Sequence, residues 1–329
     1  MQGKELFGRG ALAALDGSGN NNERHDVLTS LHEYVLPNYD DIAAIYPELN
    51  AALLRAVDAA RLTAPQLVET PFGNLEGKTS ADVAALVVRI LCDLRYINVE
   101  TTLRALAHVY QVVDGADVRK DVENCATELA RFDLHIWEKA GPAIQLALVD
   151  AIDGFTPEER SSFWPLLHII WRECLGTELR GTSFSADSMT IRTGAVPAIE
   201  DLRTIREKSI ARLLEFYDRV PDADGKQAIL NSLFHATQLP TQAAYSIDLC
   251  AMVLSDTNRI VEEATKHAAD MPYEVLEHVE HRLLYQYRRV RDIADVPDDR
   301  FGCKDLARAV AASILEFRDT ANAVTGFVR

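Results

Sequence analysis

Residues Thr79–Val113, TSADVAALVVRILCDLRYINVETTLRALAHVYQVV, decide the fold class. Thr79 or Ser80 can cap ADVAALVVRILCDL, and Asn98 can cap VETTLRALAHVYQVV. In each case a short oxygen-bearing side chain stands just before an apolar-periodic run, where it accepts from the first unpaired N–H groups of a helix. Two capped helices with a short turn make a hairpin. Outward toward the C-terminus the pattern continues: ADVRKDVENCATELARF follows Gly115, and Pro142 opens AIQLALVDAI after Gly141. Thr156, Pro157 and Glu159 then form a capping-box arrangement at the start of PEERSSFWPLLHIIWRECL. Pro165 inside that run predicts a bend or a split, because its ring removes a backbone donor and crowds the preceding turn. Toward the N-terminus, Val27, Leu31 and Val35 lie at helical spacing, and Pro47 opens PELNAALLRAVDAARL, which predicts a first hairpin.

Three stretches break the helical period. Met1–Asn22 carries a short apolar patch and then a glycine and asparagine run that does not repay the entropy of ordering, so a loose arm is expected. Thr63–Thr79, TAPQLVETPFGNLEGKT, holds two prolines and two glycines and reads as irregular. Gly176–Ala198, GTELRGTSFSADSMTIRTGAVPA, spaces Phe184, Met189, Ile191 and Val196 by turn and β-branched residues, which is loop or hairpin chemistry. Beyond it helices resume with IEDLRTIREKSIARLLEFYDRV, whose stripe is Leu202, Ile205, Ile210, Leu213, Leu214 and Tyr217, and run through CKDLARAVAASILEFRDTANAV. The expected organisation is a flexible arm over 1–22, a helical hairpin with its loop over 23–79, a first helical sub-array over 80–175, the insertion over 176–198 and a second sub-array over 199–329.

Helix starts recur about every 20 residues and helix pairs about every 40, so from Ser80 to Val324 the chain resembles a HEAT or armadillo α-solenoid. The likeness lies in spacing, not in any shared motif. The resemblance implies an all-α, irregular solenoid of stacked hairpins with a central loop or short β-hairpin insertion, and a broad face that holds another protein. It implies no chemistry. Arrays of this kind are similar to sensor or scaffold segments of bacterial signalling and antiphage assemblies.

Composition narrows the partners. Fifty acidic residues against 34 basic ones give 329 residues a net charge of −16, which opposes attraction to phosphate backbones and anionic lipid. Nucleic acid is not an expected partner; Arg288, Arg289 and Arg291 in YQYRRVR complement the negative end of a helix dipole instead. No apolar run approaches the roughly 18 residues a membrane span requires, and no apolar core of a signal peptide follows the first lysine. Cys92, Cys125, Cys174, Cys250 and Cys303 are far apart, none in a CxxC pair, and read as small core residues in a reducing compartment, so a cytoplasmic protein is expected.

Few residues offer chemistry. Gly77, Lys78 and Thr79 precede a helix as in a phosphate loop, but GxxxxGK[ST] requires glycine where Phe72 stands, and Gly73 is one residue too close. The expectation is that Thr79 or Ser80 caps a helix and Lys78 is solvated; phosphate binding by Gly77, Lys78 and Thr79 is the alternative. Glu274, His278 and His281 share one helix face, yet they match neither HExxH nor ExxH and lack an evident partner segment. His108, His168 and His235 stand among apolar residues, and no GxSxG occurs. No catalytic residue, metal or cofactor is therefore expected. Phe184, Met189 and Ile191 on the insertion are the candidate partner surface, with a protein as partner and a homo-oligomer compatible with the sequence. Trp137, Trp164 and Trp171 are candidate packing anchors.

Overall fold

The computed structural model describes residues 2–71, 73–177, 179, 182–185, 190–193, 197–220, 222–238, 247–299 and 302–326. They are mostly helical, with two short antiparallel hairpins. The chain divides into two compact units, each drawn from two segments: residues 1–130 with 150–166, and residues 131–149 with 167–329. The division falls within two helices, α9 (Ala143–Asp153) and α10 (Pro157–Glu173). α10 is one helix through Pro165 rather than two.

The first unit contains α1 (Gln2–Gly17), α2 (Asn21–Val35), α3 (Tyr39–Ala43), α4 (Tyr46–Arg61), β1 (Leu67–Thr70), β2 (Gly73–Glu76), α5 (Ser80–Asp93), α6 (Val99–Val112) and α7 (Ala116–Ala130). Its core forms where α5 packs on α2, α4 and α7, and α6 packs on α4 and α7. Leu28, Leu49, Leu53, Val83, Val87, Ile90, Leu103 and Val122 are all fully buried there. Burial of side chains this size contributes about 1.5–3 kcal/mol each before the entropy of ordering is counted. Tyr46 and Thr102 share a buried hydroxyl contact of 2.6 Å, so these two polar tips satisfy each other.

Two expectations change in this unit. The segment read as a loose arm forms α1, because tertiary contacts supply what its composition lacks: Leu15 is buried, and Asp16 takes a two-pronged bond from Arg55 of α4 at 2.9 and 3.0 Å. The irregular segment Thr63–Thr79 contains the β1–β2 hairpin, in which Val68 faces Leu75 and Thr70 faces Gly73. Gly73 sits at φ +118°, a conformation that only glycine adopts without strain, and this lets the chain reverse there.

The second unit contains α8 (Leu134–Ala140), the adjoining parts of α9 and α10, β3 (Thr182–Ser185), β4 (Thr190–Thr193), α11 (Ile199–Arg219), α12 (Ala223–Ala236), α13 (Ile247–His267), α14 (Tyr273–Ala294) and α15 (Lys304–Thr325). α15 lies against α13 and α14, and α12 packs on α11, α13 and α14. Trp171 is fully buried with its ring 4.9 Å from Phe216, and Trp137 meets Phe132 edge-on at 5.3 Å. The centre of this unit is held by Arg206 of α11, 1 % exposed. Its Nε donates to Asp256 of α13 at 2.8 Å, Nη2 to the Ala236 carbonyl at 2.7 Å, and Nη1 to the Leu175 carbonyl. One guanidinium thus satisfies carbonyls at the C-terminal ends of α10 and α12, where helices leave acceptors unpaired. Among the described residues no helix is long and apolar enough to cross a membrane.

Candidate functional site

The sequence-selected residues fall in three places. In the central insertion, Phe184 of β3 pairs with Ile191 of β4 in an antiparallel hairpin, alongside Thr182–Thr193, Ser183–Arg192 and Ser185–Thr190. Met189 lies outside the described residues.

The glycine loop before α5 is occupied by the chain itself. The Lys78 N–H donates to Asn22 of α2 at 2.7 Å, and the Thr79 N–H donates to Asp82 at 2.8 Å while Thr79 Oγ1 accepts from the Asp82 N–H. This is a complete capping box. The hydrogen bond from the Thr79 backbone holds the Asp82 carboxyl below the usual carboxylate range. A Cβ on Gly77 would come 2.0 Å from the Gln66 carbonyl, so glycine is required there for close packing rather than for open space.

On α14, His278 Nε2 is bonded to Asn231 of α12, and burial, then Arg282 and His281, push its pKa down. Glu274 and His281 are exposed. The other histidines serve local contacts. His108 meets Asp58 at 2.9 Å, and His168 meets Ser232 at 3.0 Å with its pKa lowered to about 4 by burial and then by Arg172. Among the described residues no group of three or more histidine, cysteine or carboxylate side chains is placed to hold a metal ion.

The surface that draws attention is the seam of α14 and α15. The helices run antiparallel: Tyr273, Leu276 and Glu277 meet Ala321, Asn322 and Thr325, whereas Leu283, Leu284 and Tyr287 meet Ile314, Leu315 and Arg318. α14 turns Val275, Leu276, Val279, Leu283 and Val290 inward. Its outer side carries Glu274, Glu277, His281, Leu284, Arg288 and Arg291, all exposed, at alternating steps of three and four residues that keep them on one face. Leu284 is 42 % exposed, Tyr285 beside it 60 %, and Leu315 across the groove 40 %, so the apolar part of this face is open to water. Arg291 also pairs with Asp295 of its own chain at 2.6 Å.

Sequence reading weighed Glu274, His278 and His281 on this helix as a metal face, preferred a solvated face, and read the arginines as a dipole complement. It missed that carboxylates occupy the N-terminal half of one stripe and guanidinium groups the C-terminal half. That sorting of charge at a 3,4 spacing was the available signal. No family model matches the sequence, and neither does any characterised protein.

Proposed function

We propose that the chain is a non-catalytic protein–protein interaction scaffold of the cytoplasm, built within each unit from helix hairpins stacked in the manner of an α-solenoid, and that the α14 face docks a second copy of the same chain. The observation that carries this reading is the symmetry of the exposed stripe. A two-fold axis passing between His281 and Leu284 sets Glu274 against Arg291 of the second copy and Glu277 against Arg288, with His281 against Leu284. Each end of the pairing is then made twice, as a self-complementary interface requires. An α14 of 22 residues is about 33 Å long at 1.5 Å per residue. It therefore covers less than a standard interface of roughly 800 Å² per partner unless Leu315 and Val324 of α15 add to it. The expected association is accordingly weak and salt-sensitive.

Sedimentation equilibrium at low and high salt tests the pairing. Glu277→Arg and Arg288→Glu should each shift the chain toward monomer, and the double swap should recover dimer because each reversed charge again meets its opposite across the axis. A wild-type chain that stays monomeric at low salt, or a double swap no better than the singles, overturns it. Phe184, Met189 and Ile191 are proposed as a further contact for a different protein, tested by whether their joint replacement with serine weakens association more than stability. The competing reading, a nucleotide held at Gly77, Lys78 and Thr79, is weakened by the internal use of the Lys78 and Thr79 donors. A rise in melting temperature with nucleotide and magnesium, lost in Lys78→Ala, would restore it.

A further inference from the structure

The five cysteines are widely spaced in sequence, yet folding brings two of them side by side in the first unit. Cys92 is in the last turn of α5 and Cys125 is on α7, two helices that pack along their length. The two thiols are close enough for each to act on the other's ionisation, with Cys125 buried and Cys92 half-buried at the edge of the core. Arg95 reaches back over the same point: its Nη1 donates to the Cys92 carbonyl at 2.5 Å and lies 3.9 Å from the Cys92 sulfur, with the guanidinium stacked 4.6 Å from the centre of the Tyr96 ring. Other charges face the pair. Asp93 follows Cys92 and meets His32 of α2 at 3.0 Å, and Glu128 stands one turn beyond Cys125 on α7.

We propose that Cys92 and Cys125 are a redox modification site, in which Cys92 is the nucleophile toward hydroperoxides and Cys125 is the thiol that resolves it to an intramolecular disulfide. A nucleophilic thiol needs a stabilised thiolate, some access, and a neighbour to complete the reaction. Here the Cys125 S–H and then the Arg95 guanidinium favour the Cys92 thiolate, and together they outweigh burial and the two carboxylates, so its pKa lies below the ordinary thiol value. The same contact and burial push the Cys125 thiol up, which keeps its proton available. In the first step the Cys92 thiolate attacks one peroxide oxygen and the O–O bond breaks. The sulfenic acid forms, and the other oxygen leaves as water after taking a proton. In the second step the Cys125 sulfur attacks the Cys92 sulfur, the S–O bond breaks, and the hydroxyl leaves as water with the Cys125 proton. The two thiols lose two electrons and hydrogen peroxide gains them.

The remaining cysteines give an internal comparison. Cys250 and Cys303 also touch, but both are buried, and burial raises Cys250 to about 12 and raises Cys303 as well. Cys174 is fully buried in an apolar site, which pushes its thiol far up. Adjacent thiols alone therefore do not make the site. What distinguishes Cys92 is the cation on one side and the proton donor on the other.

Treating the folded 329-residue chain with hydrogen peroxide, alkylating the remaining thiols and digesting with trypsin tests the assignment. The expected product is a reducible link between the peptides Ile90–Arg95 and Asp121–Arg131, with Cys174, Cys250 and Cys303 recovered as alkylated thiols. In Cys125→Ala, dimedone should trap a sulfenic acid on Cys92. Arg95→Gln should slow alkylation of Cys92 at neutral pH and move its pH midpoint upward, with an unchanged helical spectrum. The proposal is overturned if the link forms only after denaturation, if no dimedone adduct appears on folded Cys125→Ala, or if Cys92 is alkylated no faster than Cys250.

Discussion

Replacing Arg206 by methionine should strongly destabilise the second unit. The side chains have comparable length, so little cavity is made, and the loss is one of charge and hydrogen bonding. Arg206→Met leaves Asp256, 13 % exposed, without its partner, and strips the donors from the Leu175 and Ala236 carbonyls. Removing one member of a buried ion pair costs about 3–5 kcal/mol. Each unpaired buried carbonyl costs about 1–3 kcal/mol more, unless water reaches it. These effects overlap, because a carboxylate with some exposure can rehydrate, and a net loss of about 4 kcal/mol is expected, roughly a thousandfold in the folding equilibrium of that unit. Urea unfolding followed by tryptophan fluorescence measures it, since Trp171 is buried against Phe216 of the helix that carries Arg206. Arg206→Met with Asp256→Leu should recover about half of the loss, because the stranded charge is then gone. A cost under about 1 kcal/mol for the single variant, or no recovery in the double, would show that the guanidinium is not the tie between these helices.

Three further outcomes follow from local geometry. Thr79→Ala removes the capping-box oxygen and should cost about 1 kcal/mol. The Asp82 carboxyl is held below its unfolded value, so its contribution is full above that value and is lost as pH falls through the folded one. Asp82→Asn, which removes the titrating group, should therefore show less loss of stability on acidification, and an unchanged acid profile in urea titrations would count against the cap. His168, neutral in the fold with its pKa near about 4, binds a proton more readily when unfolded, so stability present above pH 6.5 falls between 6.5 and about 4. His168→Gln should flatten that part of the pH–stability curve by about 2 kcal/mol, a figure discounted for the ring's partial exposure; an unaltered slope would refute the assignment. Gly77→Ala should lower the melting temperature and cost at least about 1–3 kcal/mol, because the new methyl meets the backbone of Gln66 rather than a flexible side chain; a neutral result would mean that the hairpin shifts freely on α2.

Most of the helices were legible because their signals are local. Asn98 caps α6 and Thr79 caps α5, as the residue types predict, and the inward stripe of α14 is the one its periodicity marks. α1 was not legible, since its glycine-rich composition gives no reason for order and its anchors, Leu15 in the core and Asp16 on Arg55, depend on a helix that comes later in the chain. The β1–β2 hairpin was hidden for a related reason: two four-residue strands give too short a period to read, and the Lys78 and Gly77 contacts that hold the loop come from Asn22 and Gln66.

The candidate surfaces divide the same way. The order of charges along α14 is written in the sequence, because a helix converts fixed spacing into a fixed face. The same periodicity marks the opposite, apolar side, which packing against α12 and α15 covers. The pairing of Cys92 with Cys125, and the convergence of Arg206 on two helix ends and Asp256, are matters of tertiary structure alone. Residues 30 to 50 positions apart become neighbours only when whole helices pack, and no local propensity encodes that distance.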